Sequence, residues 1–142
     1  MLKTLPGLTF AILALLVSGL ACKGYTEGKP AAEKAIAEFH SMLDAGRFEE
    51  IYDSSDKAMK NATTKEQLTK LLNAVHTKLG TTKESTEQSW HIGNYNLTTT
   101  VTIVDETIFQ NGKAIETFTY VIDGNQTHLA GYNINSTELV TN

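Results

Sequence analysis

Asp105 and Glu116 are the side chains whose positions raise the question of acid–base chemistry. Such chemistry needs titratable groups separated in pKa by burial or by a neighbour, and close enough to reach one substrate. Both residues lie in β-branched segments flanking Asn111-Gly112, a dipeptide favoured in two-residue hairpin loops because both central positions take positive φ. With that dipeptide as the loop, Val101 faces Ile122, Ile103 faces Tyr120, Asp105 faces Phe118, Thr107 faces Glu116 and Phe109 faces Ala114. This set is the bulkier and holds the aromatics, so it is assigned to the side that helices cover. Asp105 and Glu116 then turn inward near the hairpin end. The competing role is a solvated rim, and no motif matches a known catalytic pattern, so no catalytic residue is assigned.

His40, His76, His91 and His128 invite a metal. His40 and Asp44 share a helix face at i and i+4, but one pair is not a site. No two histidines have the short spacing of a metal motif, so neither a metal nor another cofactor is expected. A phosphate-cradling glycine loop, a nucleophile elbow and a basic helix are all missing from the sequence. The 142 residues carry 12 basic and 16 acidic side chains, a formal charge of −4. That balance argues against nucleic acid, whose ligands normally carry a basic stripe. A single cysteine excludes a disulfide scaffold.

That cysteine, Cys22, follows an N-terminal segment with the parts of a secretory signal. Lys3 is the positive start, and Gly7 to Ala21 is an uncharged apolar run ending in small residues. At 1.5 Å per residue the run spans roughly 22 Å, short of the ~30 Å hydrocarbon core, which disfavours a permanent span. Leu20-Ala21-Cys22 resembles a bacterial lipobox, in which the cysteine is acylated and becomes the new N-terminus. Ordinary cleavage near Ala21, leaving a free thiol, is the alternative. Residues 1–22 are thus expected to be a lipoprotein-type signal peptide, 23–29 a tether and 30–142 one α+β domain.

Within that domain Pro30 sits where a first helical position would be. Ala32, Ala35, Ile36, Phe39 and Leu43 then recur at helical spacing, with Gly46 as the stop. Residues 47–52 predict a short second helix. Thr63 and Thr64, three positions before Glu66 and Gln67, predict the start of a third, whose stripe is Leu68, Leu71, Leu72, Val75 and Leu79 up to Gly80. Beyond Gly80 the pattern changes to period two. A first strand is expected to end at Ile92 with a turn at Gly93-Asn94. Residues 97–109, 115–122 and 127–134 supply three more strands. Helices followed by an antiparallel meander predict an α+β fold, with a sheet of about four strands.

The stretches Phe39-His40-Ser41-Met42-Leu43-Asp44-Ala45-Gly46-Arg47-Phe48-Glu49-Glu50-Ile51-Tyr52 and Leu129-Ala130-Gly131-Tyr132-Asn133-Ile134-Asn135-Ser136 resemble small exported bacterial domains of the nuclear transport factor two-like superfamily. That resemblance implies a cone between the helices and a curved sheet, in which Tyr52, Asp53, Asp105, Glu116, Tyr120 and Tyr132 are the acid–base candidates. A ligand pocket there would be lined by Phe39, Tyr52, Asp105, Glu116, Tyr120 and Tyr132. The superfamily hosts many functions on one scaffold. The expected protein is a membrane-anchored envelope lipoprotein, periplasmic or facing outward, with a non-catalytic domain that binds a small apolar ligand or a protein partner. Two alternatives stand beside it. One is an isomerase or hydrolase that uses carboxylates in the cone. The other is a homodimer or scaffold built through the open sheet face of Thr98, Thr100, Thr102, Val104, Thr117, Thr119 and Val121.

Overall fold

The first helix begins earlier than Pro30. The computed structural model describes residues 23–141, and helix α1 runs over Lys23–Asp44 with Pro30 inside it. The segment expected to be a tether is therefore helical, and Gly28 already packs on the sheet, where an added Cβ would lie 3.3 Å from Val101 Cγ2. The segment expected to be a signal peptide, with Cys22, lies outside the described residues. No helix among the described residues is long and apolar enough to cross a membrane.

α1 stops before Gly46, whose φ of +71° suits a residue without a Cβ. Helices α2 (Phe48–Asp53), α3 (Lys57–Ala62) and α4 (Lys65–Leu79) follow. α3 was not foreseen: it has six residues and only Met59 buried, too little for a periodic signature. α4 starts as expected. Thr64 accepts from Gln67 N while Gln67 Oε1 accepts from Thr64 N, a reciprocal box that satisfies two otherwise orphaned donors.

Strands β1 (Thr82–Tyr95), β2 (Thr98–Phe109), β3 (Gly112–Asp123) and β4 (Gln126–Asn135) form one antiparallel sheet in the order β1-β2-β3-β4, followed by a short helix α5 (Thr137–Val140). This is an α+β architecture. The helices cover one face, where Val101, Ile103, Asp105, Thr107 and Phe109 of β2 are buried with Ala114, Glu116, Phe118 and Tyr120 of β3. Ile36, Phe39 and Leu43 of α1 and Leu68, Leu72, Val75 and Leu79 of α4 complete the core. On the open face Thr102 and Thr119 share a hydrogen bond of 3.2 Å.

The two hairpins correct the expected pairing. The β2–β3 loop is Gln110-Asn111, with Phe109 opposite Gly112, Asp105 opposite Glu116 and Val101 opposite Tyr120. The loop is pinned there by its own donors: Gln110 N–H bonds Thr81 O at 2.9 Å and Asn111 N–H bonds Leu79 O at 2.8 Å. The offset from the expected pairing is two residues, an even number, so every side chain keeps its face. The β1–β2 turn falls at Asn96-Leu97 rather than Gly93-Asn94, with φ of 47° and 64° at the two positions.

Candidate functional site

Glu116 is the most consequential polar side chain of the core. It has no solvent exposure. His40 Nε2, from α1, lies 2.7 Å from its Oε2, and Tyr132 on β4 donates its hydroxyl to Oε1 at 2.6 Å. Alternation along β3 sends Glu116 inward with Ala114, Phe118 and Tyr120. The helical repeat puts His40 beside Phe39 on the covered face. Phe39, Phe118 and Tyr132 pack around the network, with ring centroids 4.8–5.3 Å apart. Burial, then the nearby Glu116 carboxylate, pushes the Tyr132 hydroxyl well above the usual tyrosine range, so it stays a proton donor. Burial and the same carboxylate push Tyr120 up as well.

Asp105 sits directly across the ladder from Glu116. It is 5% exposed. Its Oδ2 accepts from Ser85 Oγ at 2.8 Å, and that hydroxyl lies 2.9 Å from Thr107 Oγ1. Its Oδ1 is buried with no hydrogen-bond partner among the described residues. A buried polar atom left unpaired is uncommon and costly. Asp105 and Ser85 line a cavity of about 370 Å³ between α1 and the β1–β2 edge, together with Glu33, His40, Glu84 and Glu87. Lys29 ties α1 to β1 along this edge by bridging Glu33 and Glu87, with Nζ 2.8 Å from Glu87 Oε2. Those two carboxylates hold its ammonium above the usual lysine range.

Burial raises the Asp105 carboxyl above the ordinary carboxylate range, with Glu116 and Glu87 adding to the rise and the Ser85 hydrogen bond and His40 opposing it. A carboxyl raised in the folded state binds its proton more tightly there than in the unfolded chain. Its ionisation therefore costs stability, fully so above the folded pKa, and the cost disappears as pH falls below the unfolded value. Asp105→Asn, which stays neutral, is expected to be more stable than the parent at neutral pH by about 1 kcal/mol. The gain should vanish in acid, as thermal unfolding at the two pH values would read. A variant less stable than the parent at neutral pH would contradict this account of Asp105.

The side chains expected to line one pocket are distributed over several places. Phe39 and Tyr120 border a second cavity of about 310 Å³, with His128 and Leu129. Tyr132 borders a third of about 270 Å³, beside Met59 and Leu68. Tyr52 of α2 packs at the edge of the core, its hydroxyl donating to Thr63 O at 3.3 Å with Lys60 and Lys65 near its ring. Asp53, on the same helix, is exposed and pairs with Lys65 at 2.6 Å. Asp105 and Glu116 are brought together as cross-strand neighbours, and Phe39, Glu116 and Tyr132 meet in the core. His40, considered only as a metal candidate beside Asp44, and Ser85, not singled out at all, join them. His40 was legible as a neighbour of Phe39 in the α1 stripe, whereas nothing in the polar run of β1 marks Ser85. His40 and Asp44 do not act as a pair, because Asp44 Oδ1 accepts from Thr82 N at 2.9 Å. Among the described residues no three His, Cys, Asp or Glu side chains converge as metal ligands would.

No curated protein matches the chain. A family described as "Protein of unknown function (DUF4019)" matches residues 35–132, well over half of the chain. The matched segment holds His40, Ser85, Asp105 and Glu116 and ends on Tyr132. By that match the chain belongs to the DUF4019 family.

Proposed function

We propose that this chain is an exported protein, fastened to the cell envelope through an acylated Cys22, whose domain adopts the nuclear transport factor two-like cone and binds a small polar ligand. The observation that carries the binding role is that Asp105, whose Oδ1 is buried without a hydrogen-bond partner among the described residues, belongs to the lining of the α1–β1 cavity. A buried carboxylate oxygen without a donor weakens the fold, and a ligand N–H or O–H supplies what it lacks. The centre of the cone is filled by Phe39, Phe118 and Tyr132. That packing favours a polar ligand at the edge over an apolar one at the centre. The anchor rests on the apolar leader and the position of Cys22 directly after it.

Amide NMR of the protein mixed with a polar metabolite extract of its host tests the binding role. Shifts clustered at Ser85, Asp105 and Glu87 are the expected result. Shifts at the Phe39–Leu129 cavity, or none, would contradict it. One observation favours a second reading as an acid–base enzyme: His40, held by Glu116 through Nε2, lines the same cavity as Asp105. In that case a metabolite in the same extract would be consumed with time, and Asp105→Asn would stop its loss. Binding without consumption favours the carrier.

A further inference from the structure

The end of the domain nearest the chain's N-terminus carries its most exposed apolar side chain. Gly28 of α1 packs where an added Cβ would lie 3.3 Å from Val101, 3.9 Å from Thr99 and 4.0 Å from Ile122. At its other end α1 reaches the start of β1, where Asp44 accepts from Thr82, the partner of Phe109. α1 therefore runs alongside β2 in the same direction, with its N-terminus over the β1–β2 turn. From Gly28 back to Lys23 the helix rises about 7.5 Å. From Thr99 the strand runs back about 3 Å to its first residue, Thr98, and Leu97 follows in the turn. The first helical residue, which directly follows Cys22, thus stands at about the level of the turn tip.

At that tip Tyr95 is 78% exposed and Leu97 is fully exposed. Leu97 also holds a φ of 64°, a conformation that glycine or asparagine adopts at far lower cost than leucine. The positions around it, residues 93–102, contain no charged side chain. Glu27 and Asp123 are exposed nearby, and Lys29 is occupied by Glu33 and Glu87. A tyrosine beside an exposed leucine, on an uncharged tip, is the composition that enters the headgroup and acyl boundary of a bilayer.

We propose that the β1–β2 tip, Tyr95-Asn96-Leu97, is a membrane-contact surface that enters the lipid beside the acylated Cys22 and fixes the orientation of the domain. This rests on the envelope anchor argued above. Among the described residues α1 covers Lys23–Asp44, and Lys23 directly follows Cys22 in sequence, so the tip meets the same bilayer that holds the acyl chains.

The test uses the full acylated chain in phosphatidylcholine vesicles containing lipids with a quencher on the acyl chain. Acylation consumes the chain's only thiol, so a thiol-reactive fluorophore labels Leu97→Cys at one position. Asn111→Cys, in the β2–β3 loop at the opposite end, is the control. The label at residue 97 is expected to lose most of its emission to the lipid quencher and that at 111 almost none. Adding Tyr95→Ser to Leu97→Cys should weaken the quenching. Equal accessibility of both labels to a water-soluble quencher would overturn the contact while leaving the anchor intact. A reactive thiol in the unsubstituted chain would show Cys22 unacylated, and would overturn the anchor and the contact together.

Discussion

Glu116→Ala is expected to lower the free energy of unfolding by about 2–5 kcal/mol, since each buried hydrogen-bonding group left unpaired costs about 1–3 kcal/mol and the substitution leaves two. The carboxylate has no exposure, and the substitution leaves both the His40 ring nitrogen and the Tyr132 hydroxyl without the oxygens they meet at 2.7 and 2.6 Å. Phe39, Phe118 and Phe109 pack around the two groups and restrict their turning to other partners. Glu116→Gln keeps the shape and one carbonyl acceptor for Tyr132, so about 1–2 kcal/mol is expected there. Denaturant unfolding of the two variants, with a double-mutant cycle to His40→Ala, measures the effect. The His40–Glu116 coupling should lie within about 0.5–3 kcal/mol. A Glu116→Ala variant as stable as the parent would mean that the network does not hold α1 to the sheet.

Phe118→Ala is the second large effect, with a loss of about 3–5 kcal/mol. Phe118 is fully buried at the middle of β3, and its ring meets Phe39 at 5.2 Å, His40 at 5.6 Å and Tyr132 at 5.3 Å. The cost has two parts: the transfer of the ring out of water is lost, and a hole opens where rigid aromatic neighbours cannot collapse. The hole also borders Glu116, so water entering it would compete for the Tyr132 hydrogen bond. Urea unfolding reads the loss. A cost below about 1.5 kcal/mol, the level of a conservative core swap, would show that the core is loosely filled.

Which side chains of the hairpin face the helices was legible from alternation alone, because a face survives any even slip of register. The partners themselves were not legible, and both errors came from reading glycine as a turn residue. Gly112 lies in β3 without a positive φ, and a Cβ there would come within 2.7 Å of the Glu138 side chain of α5, which is flexible enough to move aside. Gly93 lies in β1 because a Cβ there would approach Thr100 Oγ1 to 3.0 Å. In both places glycine permits a close approach, while the positive-φ work at the first turn falls to Asn96 and Leu97. Sequence has no means of separating those two uses, since the close neighbour of each glycine, Glu138 or Thr100, lies elsewhere in the chain.

The site follows the same logic. Asp105 and Glu116 were legible as inward carboxylates, but their direct pairing depended on the true loop. His40 was read against Asp44, its helical neighbour, when its partner is 76 residues away on β3. The cavity could not be foreseen, because β1 is polar and exposed along most of its length and offers no alternation to read. Phe39, Tyr120 and Tyr132 fill space where a pocket was expected, packing edge-on, stacked and tilted around Phe118 and one another.

Native mass spectrometry of the full chain, extracted from its host's membranes in mild detergent, tests the account most directly. The parent should carry the acyl mass on Cys22 together with a noncovalent small polar adduct, and Asp105→Asn should carry the acyl mass alone. A parent chain that is always empty, or an adduct retained equally by Asp105→Asn, would contradict the binding role of the α1–β1 cavity.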